Sequence, residues 1–265
     1  MSYSCLEELQ TVLDLHMSDK TKVLSDVGCK CKDGWFVVTN DGYCHLFDKD
    51  GNLDDVSNIK CLKEKYIKKD IKKIIIPNSV MSIGFSTFWY CSSLTSVTLP
   101  NSVKNIGNDA FYSCSGLTSV SISNSVTSIG NGAFSGCTGL TSVTIPNSVT
   151  SIGAYAFEYC SSLISMTIPN SVKSIGNGAF GYCDSLTNVK ISNSVKSIEN
   201  SAFRGCSSLT SVTIPDSIIS IGNRTFYNCN SLSNIIFKGK TLEEVKKMGF
   251  YPFGIKNKSI IKYVE

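Results

Sequence analysis

The sequence predicts a β-rich repeat solenoid, in which one structural unit is copied along an axis. Phenylalanine, cysteine, leucine and isoleucine each recur at a 23-residue spacing between about residues 74 and 237. The cysteine column consists of Cys91, Cys114, Cys137, Cys160, Cys183, Cys206 and Cys229. A period of this length indicates stacked supersecondary units, so we expect a function that resides on a surface and not in a single pocket.

Each repeat begins with a strand that is buried on one side. In one repeat, Val97 and Leu99 alternate with small polar residues, which is the period of a half-buried strand. Pro100 is expected to end this strand because proline has no backbone N–H to donate to a sheet. Val103 and Ile106 then predict a second short extended segment.

A compact turn closes each repeat. Gly107 permits a turn that bulkier residues resist, and Asn108 or Asp109 is expected to cap the next backbone N–H groups. Phe111 then marks a single helical or 3₁₀ turn. Glu199 replaces the glycine in one repeat, so the position either tolerates a side chain or carries local strain. Stacking the repeats about 4.8 Å apart supplies the backbone hydrogen bonds that one repeat lacks, which predicts a long parallel sheet of about seven repeats.

We divide the chain into an N-terminal cap (1–73), the repeat array (74–237) and a C-terminal cap (238–265). In the C-terminal cap, Thr241 and Glu244 form the pattern of a capping box, which predicts a short helix that ends at Gly249. Residues 259–264 are expected to add a strand. This cap should close the last coil of the array.

The N-terminal cap is predicted to be a small α+β unit that covers the first coil. Trp35–Thr39 and Tyr43–Phe47 flank Asn40–Gly42, a strong signal for a β-hairpin. A lysine-rich segment, residues 60–73, is interpreted as a solvated helix face. An N-terminal helix is predicted from an apolar face made by Leu6, Leu9, Leu13 and His16.

The repeat pattern L-x-x-V-x-I-P-x-x-V-x-x-I-G-x-x-A-F-x-x-C, seen from Leu140 to Cys160, closely resembles the BspA-like class of leucine-rich repeats. The resemblance covers about three-fifths of the chain in seven consecutive copies. It implies a right-handed coil with a parallel sheet on one face and short extended or 3₁₀/helical turns on the other. It also implies a role in protein recognition or adhesion, often on the surfaces of bacteria or parasitic protists, and it implies no catalytic residue.

Charge and hydropathy exclude several classes of partner. The array is close to neutral, which argues against binding to nucleic acid, and no segment is long and apolar enough to span a bilayer. The N-terminus lacks the pattern of a secretory signal peptide, so we expect a soluble chain, and we expect a monomer. The family resemblance suggests a cell surface, whereas free thiols suggest a reducing or anaerobic setting, and the location stays open.

The cysteines are interpreted as buried free thiols, because parallel side-chain vectors at equivalent positions suit disulfides poorly. A zinc site is an alternative for the remaining cysteines, but their spacing lacks a C-x₂-C pair and strand alternation explains it equally well. Asp48–Asn52 resembles part of a calcium loop and is better explained as a β-turn. We therefore expect neither a metal nor a cofactor. The residues of the zinc alternative are Cys29, Cys31, Cys44, His45 and Cys61.

The sequence does not predict an enzyme. His16 and His45 are the only histidines, both outside the array, and neither a nucleophile elbow nor a phosphate-binding loop is present. We expect a non-enzymatic scaffold that binds an unidentified protein or surface ligand. Two alternatives stay open: a structural or surface-display spacer, and carbohydrate binding along the serine and threonine columns of the strand face.

Candidate contact residues lie where the repeated surface becomes irregular. On the strand face, Asn188 and Lys190 replace serine and threonine. On the edge formed by the turns, aromatic residues are expected to meet on successive coils, and such residues dominate binding hot spots. The alternative is that these rings only shield neighbouring coils. The two groups are Trp89, Tyr90 and Tyr112, and Tyr155, Tyr159 and Tyr182.

Overall fold

The computed structural model describes residues 80–264 continuously and, before them, residues 9–11, 13, 20, 23–24, 29–31, 34–38, 44–48, 50, 52, 71–72, 74, 76 and 78. The array is a solenoid with the predicted 23-residue spacing, and it has about eight turns, one more than the seven repeats that the sequence predicts. We number the coils of the solenoid 1 to 8, and each coil begins at the residue that occupies the leucine column. These residues are Ile71, Leu94, Leu117, Leu140, Leu163, Leu186, Leu209 and Leu232.

The N-terminal part contains a three-stranded antiparallel sheet of β1 (Cys29–Cys31), β2 (Gly34–Val38) and β3 (Cys44–Asp48). The pairing of β2 with β3 confirms the predicted hairpin. Its small core, formed by Leu9, Leu13, Leu24, Val37 and Phe47, is separate from the core of the array. Leu6, His16 and the hairpin turn lie outside the described residues, and the covering of coil 1 stays a prediction.

Two strands per coil build the array. In chain order they are β4 (Ser82–Ile83), β5 (Ser96–Thr98), β6 (Asn105–Ile106), β7 (Ser119–Ser121), β8 (Ser128–Ile129), β9 (Ser142–Val143), β10 (Ser151–Ile152), β11 (Ser165–Thr167), β12 (Ser174–Ile175), β13 (Asn188–Lys190), β14 (Ser197–Ile198), β15 (Ser211–Ile214), β16 (Ser220–Ile221) and β17 (Asn234–Lys238). The even-numbered strands form one parallel sheet of seven. The odd-numbered strands lie on another side, where β5, β7 and β9 form one parallel sheet and β11 begins a second.

The register places equivalent residues of successive coils side by side, for example Val97 beside Val120. Columns of valine, isoleucine, leucine and alanine therefore fill one continuous core. At its centre lies a stack of seven phenylalanine rings, with neighbouring centroids 5.0 to 5.8 Å apart. The fold is thus held by contacts between neighbouring coils, as expected for a repeat protein.

The cysteine column lies beside the phenylalanine stack. From Cys114 to Cys229, each thiol donates a hydrogen bond to the backbone carbonyl of the phenylalanine in the preceding coil, with Sγ–O distances of 3.0 to 3.3 Å. The first six cysteines are buried, and Cys229 is half-buried. A small apolar side chain that can also donate a hydrogen bond suits this position.

The array begins earlier than residue 74, the predicted boundary. Ile71 occupies the leucine column in the core, and the carbonyl of Lys72 accepts the backbone N–H of Thr95, 3.3 Å away. These two residues therefore belong to coil 1 and not to the predicted lysine-rich helix, because they continue the ladder between coils. The rest of that segment, including Cys61, lies outside the described residues.

The turns have the hydrogen bonds of the expected helical or 3₁₀ turn but not its continuous helical backbone. Hydrogen bonds from residue i+3 to residue i close them, as in a 3₁₀ turn, but two residues in each turn have positive φ and prevent a continuous helix. The turn glycine relieves a close approach, because a Cβ on Gly107 would lie 2.8 Å from the carbonyl oxygen of Ile83, although Glu199 shows that one turn accommodates a side chain. Asn108 accepts the backbone N–H of Asn131 in the next coil, and so it links coils and does not cap its own turn.

The C-terminal part contains the predicted capping box, with Thr241 opening helix α1 (Leu242–Lys246). The helix ends before the predicted Gly249 because the next residues pair with the array: Ile221 donates its backbone N–H to Met248. A 3₁₀ turn (Lys258–Ile260) leads into β18 (Ile261–Val264), which pairs in parallel with β17. The predicted final strand is therefore confirmed, and it continues the ladder of the odd-numbered strands.

Candidate functional site

Two positions in every turn of the array adopt the left-handed conformation. In coils 1 to 6 their N–H groups donate to carbonyls of the next coil, as Tyr155 does to Asn177 at 2.7 Å and Tyr159 to Gly181 at 2.8 Å. The bonds between coils therefore fix this conformation. The first column is Ser86, Asp109, Gly132, Tyr155, Gly178, Ser201 and Arg224, and the second is Tyr90, Ser113, Gly136, Tyr159, Tyr182, Gly205 and Asn228.

Tyrosine is an unexpected residue at these positions. Tyr155, Tyr159 and Tyr182 have φ values of 58°, 58° and 56°, where glycine is free of strain and a bulky residue costs on the order of 1 kcal/mol. Other coils of the same chain use glycine there. The three tyrosines are therefore not explained by the backbone geometry of the turn.

The tyrosines lie on the surface in the middle of the array. In coils 2 to 6, all of whose residues are described, the only exposed large apolar or aromatic side chains are Tyr155 (49%), Tyr159 (49%) and Ile164 (54%). The other exposed side chains of this kind lie in coil 1 or from coil 7 onward. We call Tyr155, Tyr159 and Tyr182 the central tyrosine patch.

The rings of this patch lean along the axis toward the C-terminus. Tyr159 stacks on Tyr182 with centroids 4.8 Å apart and planes 6° from parallel. The Tyr155 ring covers Gly178, where a Cβ would lie 2.6 Å from ring atom Cδ1, and the Tyr182 ring covers Gly205 in the same way. Part of each ring is thus used in packing, while half of Tyr155 and of Tyr159 stays exposed.

Charged residues that the sequence patterns did not single out surround the patch. The guanidinium of Arg204 lies 5.3 Å from the centre of the Tyr182 ring and 5.6 Å from that of Tyr227. Glu158 lies between Tyr155 and Tyr159 in the turn, and partial burial raises the pKa of its carboxyl, an effect that Arg204 opposes. Partial burial also raises the pKa of Tyr159, and Glu158 adds to that rise. A comparison of the residues at the same turn position in successive repeats could have found Arg204 and Glu158 as changes in charge.

The first aromatic group, Trp89, Tyr90 and Tyr112, is also brought together. The Trp89 centroid lies 4.1 Å from that of Tyr90 and 6.3 Å from that of Tyr112, and Tyr90 lies 5.9 Å from Tyr112. This group lies on coils 1 and 2, with Tyr90 46% exposed and at positive φ. It faces the same edge of the array as the central patch.

Asn188 and Lys190 lie elsewhere, on β13 of the strand face, and both are exposed. Lys190 lines an open groove of about 870 Å³ that crosses coils 4, 5 and 6. Its lining includes Thr144, Thr167 and Asn170, but none of the three tyrosines. The groove crosses the break between β9 and β11. The strand-face candidates and the central tyrosine patch are therefore separate surfaces.

Within the part of the chain that the structure describes, no group of three or more His, Cys, Asp or Glu residues is arranged to hold a metal ion. Of the residues named for the zinc alternative, Cys61 lies outside the described residues, and the side chains of the cysteines in β1 and β3 are likewise not described. None of the helices among the described residues has the length and hydropathy of a membrane span.

Comparison with known proteins supports the repeat assignment. The family model described as "BspA type Leucine rich repeat region" matches residues 62–183 and 150–265 in six copies. No curated protein sequence matches the chain. A leucine rich cell surface protein from Faecalibacterium prausnitzii is 33% identical in its crystal structure, with a TM-score of 0.56, and the alignment covers 80% of this chain and 54% of that one.

A leucine rich repeat protein from T. pallidum is 32% identical, with a TM-score of 0.55, and the alignment covers 65% of this chain and 78% of that one. The present chain spans only about half the length of the F. prausnitzii protein. The family model, in contrast, matches well over half of the present chain, including all eight coils. The chain therefore belongs to the BspA-type leucine-rich repeat family.

Proposed function

We propose that this protein is a non-enzymatic scaffold on a cell surface, and that it binds another protein through the central tyrosine patch. One observation carries the proposal: three tyrosines occupy left-handed positions at which most other coils of the chain use glycine, serine, aspartate or asparagine. A residue that costs stability and stays exposed is better explained by binding than by folding. The surface location is supported by the F. prausnitzii relative, which is a cell surface protein.

The physical properties of the patch suit protein recognition. Tyrosine offers a large rigid apolar surface together with a polar hydroxyl, and little conformational entropy is lost when it is buried. The stack of Tyr159 on Tyr182 also fixes both rings before a partner arrives. Most turns of the array carry few exposed rings, so the tyrosines of these coils provide a local feature that one partner can distinguish from the rest of the array.

Replacing Tyr155, Tyr159 and Tyr182 together by serine is expected to weaken capture of the partner by at least about tenfold, or about 1.4 kcal/mol. The protein would be immobilised, incubated with extracts of cell-surface proteins, and the captured proteins quantified by mass spectrometry. Tyr263→Ser is the matched control, since Tyr263 is an exposed tyrosine on β18, far from the patch. Equal capture by the triple variant and the control, with both variants folded, would support the spacer alternative instead.

A second candidate function is carbohydrate binding in the groove on the strand face. The groove is lined by hydroxyl and amide groups at equivalent positions of three coils, together with the ammonium of Lys190. Its volume lies in the range of small-molecule sites. A glycan array probed with the wild-type protein and with Thr167→Val tests this candidate, and retention of every glycan signal by the variant would exclude the groove.

A further inference from the structure

A row of aromatic rings and guanidinium groups continues the central tyrosine patch toward the C-terminus. Tyr159 stacks on Tyr182, and the guanidinium carbon of Arg204 lies 5.3 Å from the centre of the Tyr182 ring and 5.6 Å from that of Tyr227. The guanidinium carbon of Arg224 lies 5.9 Å from the centre of the same Tyr227 ring. We call Arg204 and Arg224 the arginine pair. It lies on the turns of coils 6 and 7.

In the seven turns of the array, the arginine pair supplies all of the basic charge. Each turn runs from the position of Gly107 to the position of Cys114, and none of them contains a lysine. The C-terminal part adds Lys256, which is exposed. The loop that carries it packs on the turn of coil 7, where a Cβ on Gly254 would lie 3.0 Å from Cα of Arg224. Positive charge is therefore concentrated where the turns of coils 6 and 7 meet this loop.

The described part of the chain supplies no acceptor for the guanidinium groups of the pair, neither a hydrogen-bond acceptor nor an ion-pair partner. The Nε atom of Arg204 is buried without a hydrogen-bond partner, and its terminal nitrogens reach the surface. The Glu158 side chain lies over Gly181 and is too far from Arg204 for an ion pair. The Glu199 carboxylate accepts a hydrogen bond from Ser197 instead. The terminal N–H groups are therefore left for solvent or a ligand.

Arg224 also has the unusual backbone conformation of the patch tyrosines. It belongs to the first left-handed column, with a φ of 55°, and its side chain is exposed. A long side chain is disfavoured in this conformation, and Gly132 and Gly178 occupy the same position in other coils. The backbone geometry of the turn therefore does not explain an arginine at this position.

The contacts with the rings prepare the pair for a planar anion. An arginine whose guanidinium lies over an aromatic ring has fewer conformations to lose when it binds a ligand. Its terminal N–H groups stay available at the edge of the guanidinium plane. A carboxylate is planar and accepts two parallel N–H bonds from such a group. The arrangement therefore suits carboxylates.

We infer that the arginine pair binds the carboxylates of an acidic segment of the protein partner. This inference rests on the proposed function and specifies the charge of that partner. Arg204 lies against Tyr182, which belongs to the central tyrosine patch, so the two surfaces are continuous. One partner therefore covers the patch with an apolar surface and the arginine pair with aspartate or glutamate side chains.

The test uses a fluorescein-labelled peptide of alternating glycine and glutamate, measured by fluorescence anisotropy with the full chain. A peptide of the same length with glutamine in place of glutamate keeps the shape and removes the charge. We expect the glutamate peptide to bind at least about tenfold more tightly than the glutamine peptide, and to weaken with added salt. Equal binding of the two peptides, or binding of neither, would overturn the inference. Binding of heparin but not of the glutamate peptide would overturn it in favour of an anionic polysaccharide.

Matched variants locate the site. Arg204→Gln combined with Arg224→Gln should weaken binding of the glutamate peptide at least about fivefold. Lys104→Gln combined with Lys173→Gln removes the same charge from exposed positions of coils 2 and 5, and it should leave binding unchanged. Equal effects of the two double variants would overturn the inference.

Thermal unfolding verifies that each variant folds. If the arginine double variant does not fold, Arg224→Gln alone carries the test, because the Arg224 side chain is exposed. We expect this single variant to weaken the glutamate peptide at least about threefold. Unchanged binding by a folded Arg224→Gln variant would then overturn the inference.

The arginine double variant also separates this inference from the proposed function. If the tyrosine triple variant loses capture of the natural partner while the arginine double variant keeps both that capture and the peptide, the patch binds a partner and the acidic segment is wrong. If the triple variant keeps capture, the proposed function itself is wrong. Loss of capture in both variants supports both statements.

Discussion

Raising the pH from about 8 to about 10 is expected to destabilise the array by roughly 8 kcal/mol through its cysteines alone. Burial raises the pKa of six ladder thiols, to about 12 for Cys137 and Cys229, from an ordinary value of 9.0. In the unfolded chain these thiols lose their protons near pH 9.0, while the folded chain keeps them. The stabilisation that these buried thiols contribute is therefore fully present below about pH 9 and is lost as the pH rises toward 12. The six are Cys114, Cys137, Cys160, Cys183, Cys206 and Cys229.

Urea unfolding measured at several pH values tests this expectation, with a reductant present throughout. Lysine and tyrosine residues also titrate in this range, so Cys137→Ala serves as the control. Above about pH 9 the free energy of unfolding of Cys137→Ala should fall less steeply with pH than that of the wild type. The two slopes should differ by about 1.4 kcal/mol for each pH unit. If the two proteins lose stability at the same rate, the ladder thiols do not keep their protons in the folded state as their burial predicts.

Phe157→Ala is expected to destabilise the protein by about 3 to 5 kcal/mol. The Phe157 ring is fully buried, and its neighbours in the stack, Phe134 and Phe180, lie 5.3 and 5.5 Å away. Those neighbours cannot fill the cavity, because backbone hydrogen bonds hold every coil to the next.

The free energy of unfolding from urea denaturation measures this effect. Phe157→Leu is the control, since it keeps most of the buried volume and should cost less. An unfolding midpoint of Phe157→Ala equal to that of the wild type would mean that the ring does not lie in the core.

The fold could be predicted because one chemical requirement is repeated in every coil. Val97 and Phe157 belong to columns that must be apolar, and the 23-residue period is visible without any structure. The end of helix α1 could not be predicted, because it depends on pairing between Ile221 and Met248, residues that are distant in the sequence. The membership of Ile71 in the array was missed because charged residues interrupt the pattern there.

The candidate site was predictable only in part. Stacking of Tyr159 on Tyr182 follows from their equivalent positions in successive coils. The left-handed conformation was missed because each column contains glycine in only two of seven coils, with larger residues in the others. Glu158 and Arg204 were missed because they are single charged residues in a turn column whose other members are aromatic or small.

The central claim is that the patch tyrosines are kept for binding and not for stability. Tyr159→Gly tests it most directly, since Gly136 and Gly205 occupy the equivalent position in other coils. Relief of the left-handed strain should offset the lost ring contacts, so we expect the free energy of unfolding to change by less than about 1 kcal/mol while capture of the partner falls. Destabilisation comparable to that of Phe157→Ala, with capture unchanged, would contradict the claim and make Tyr159 a packing residue.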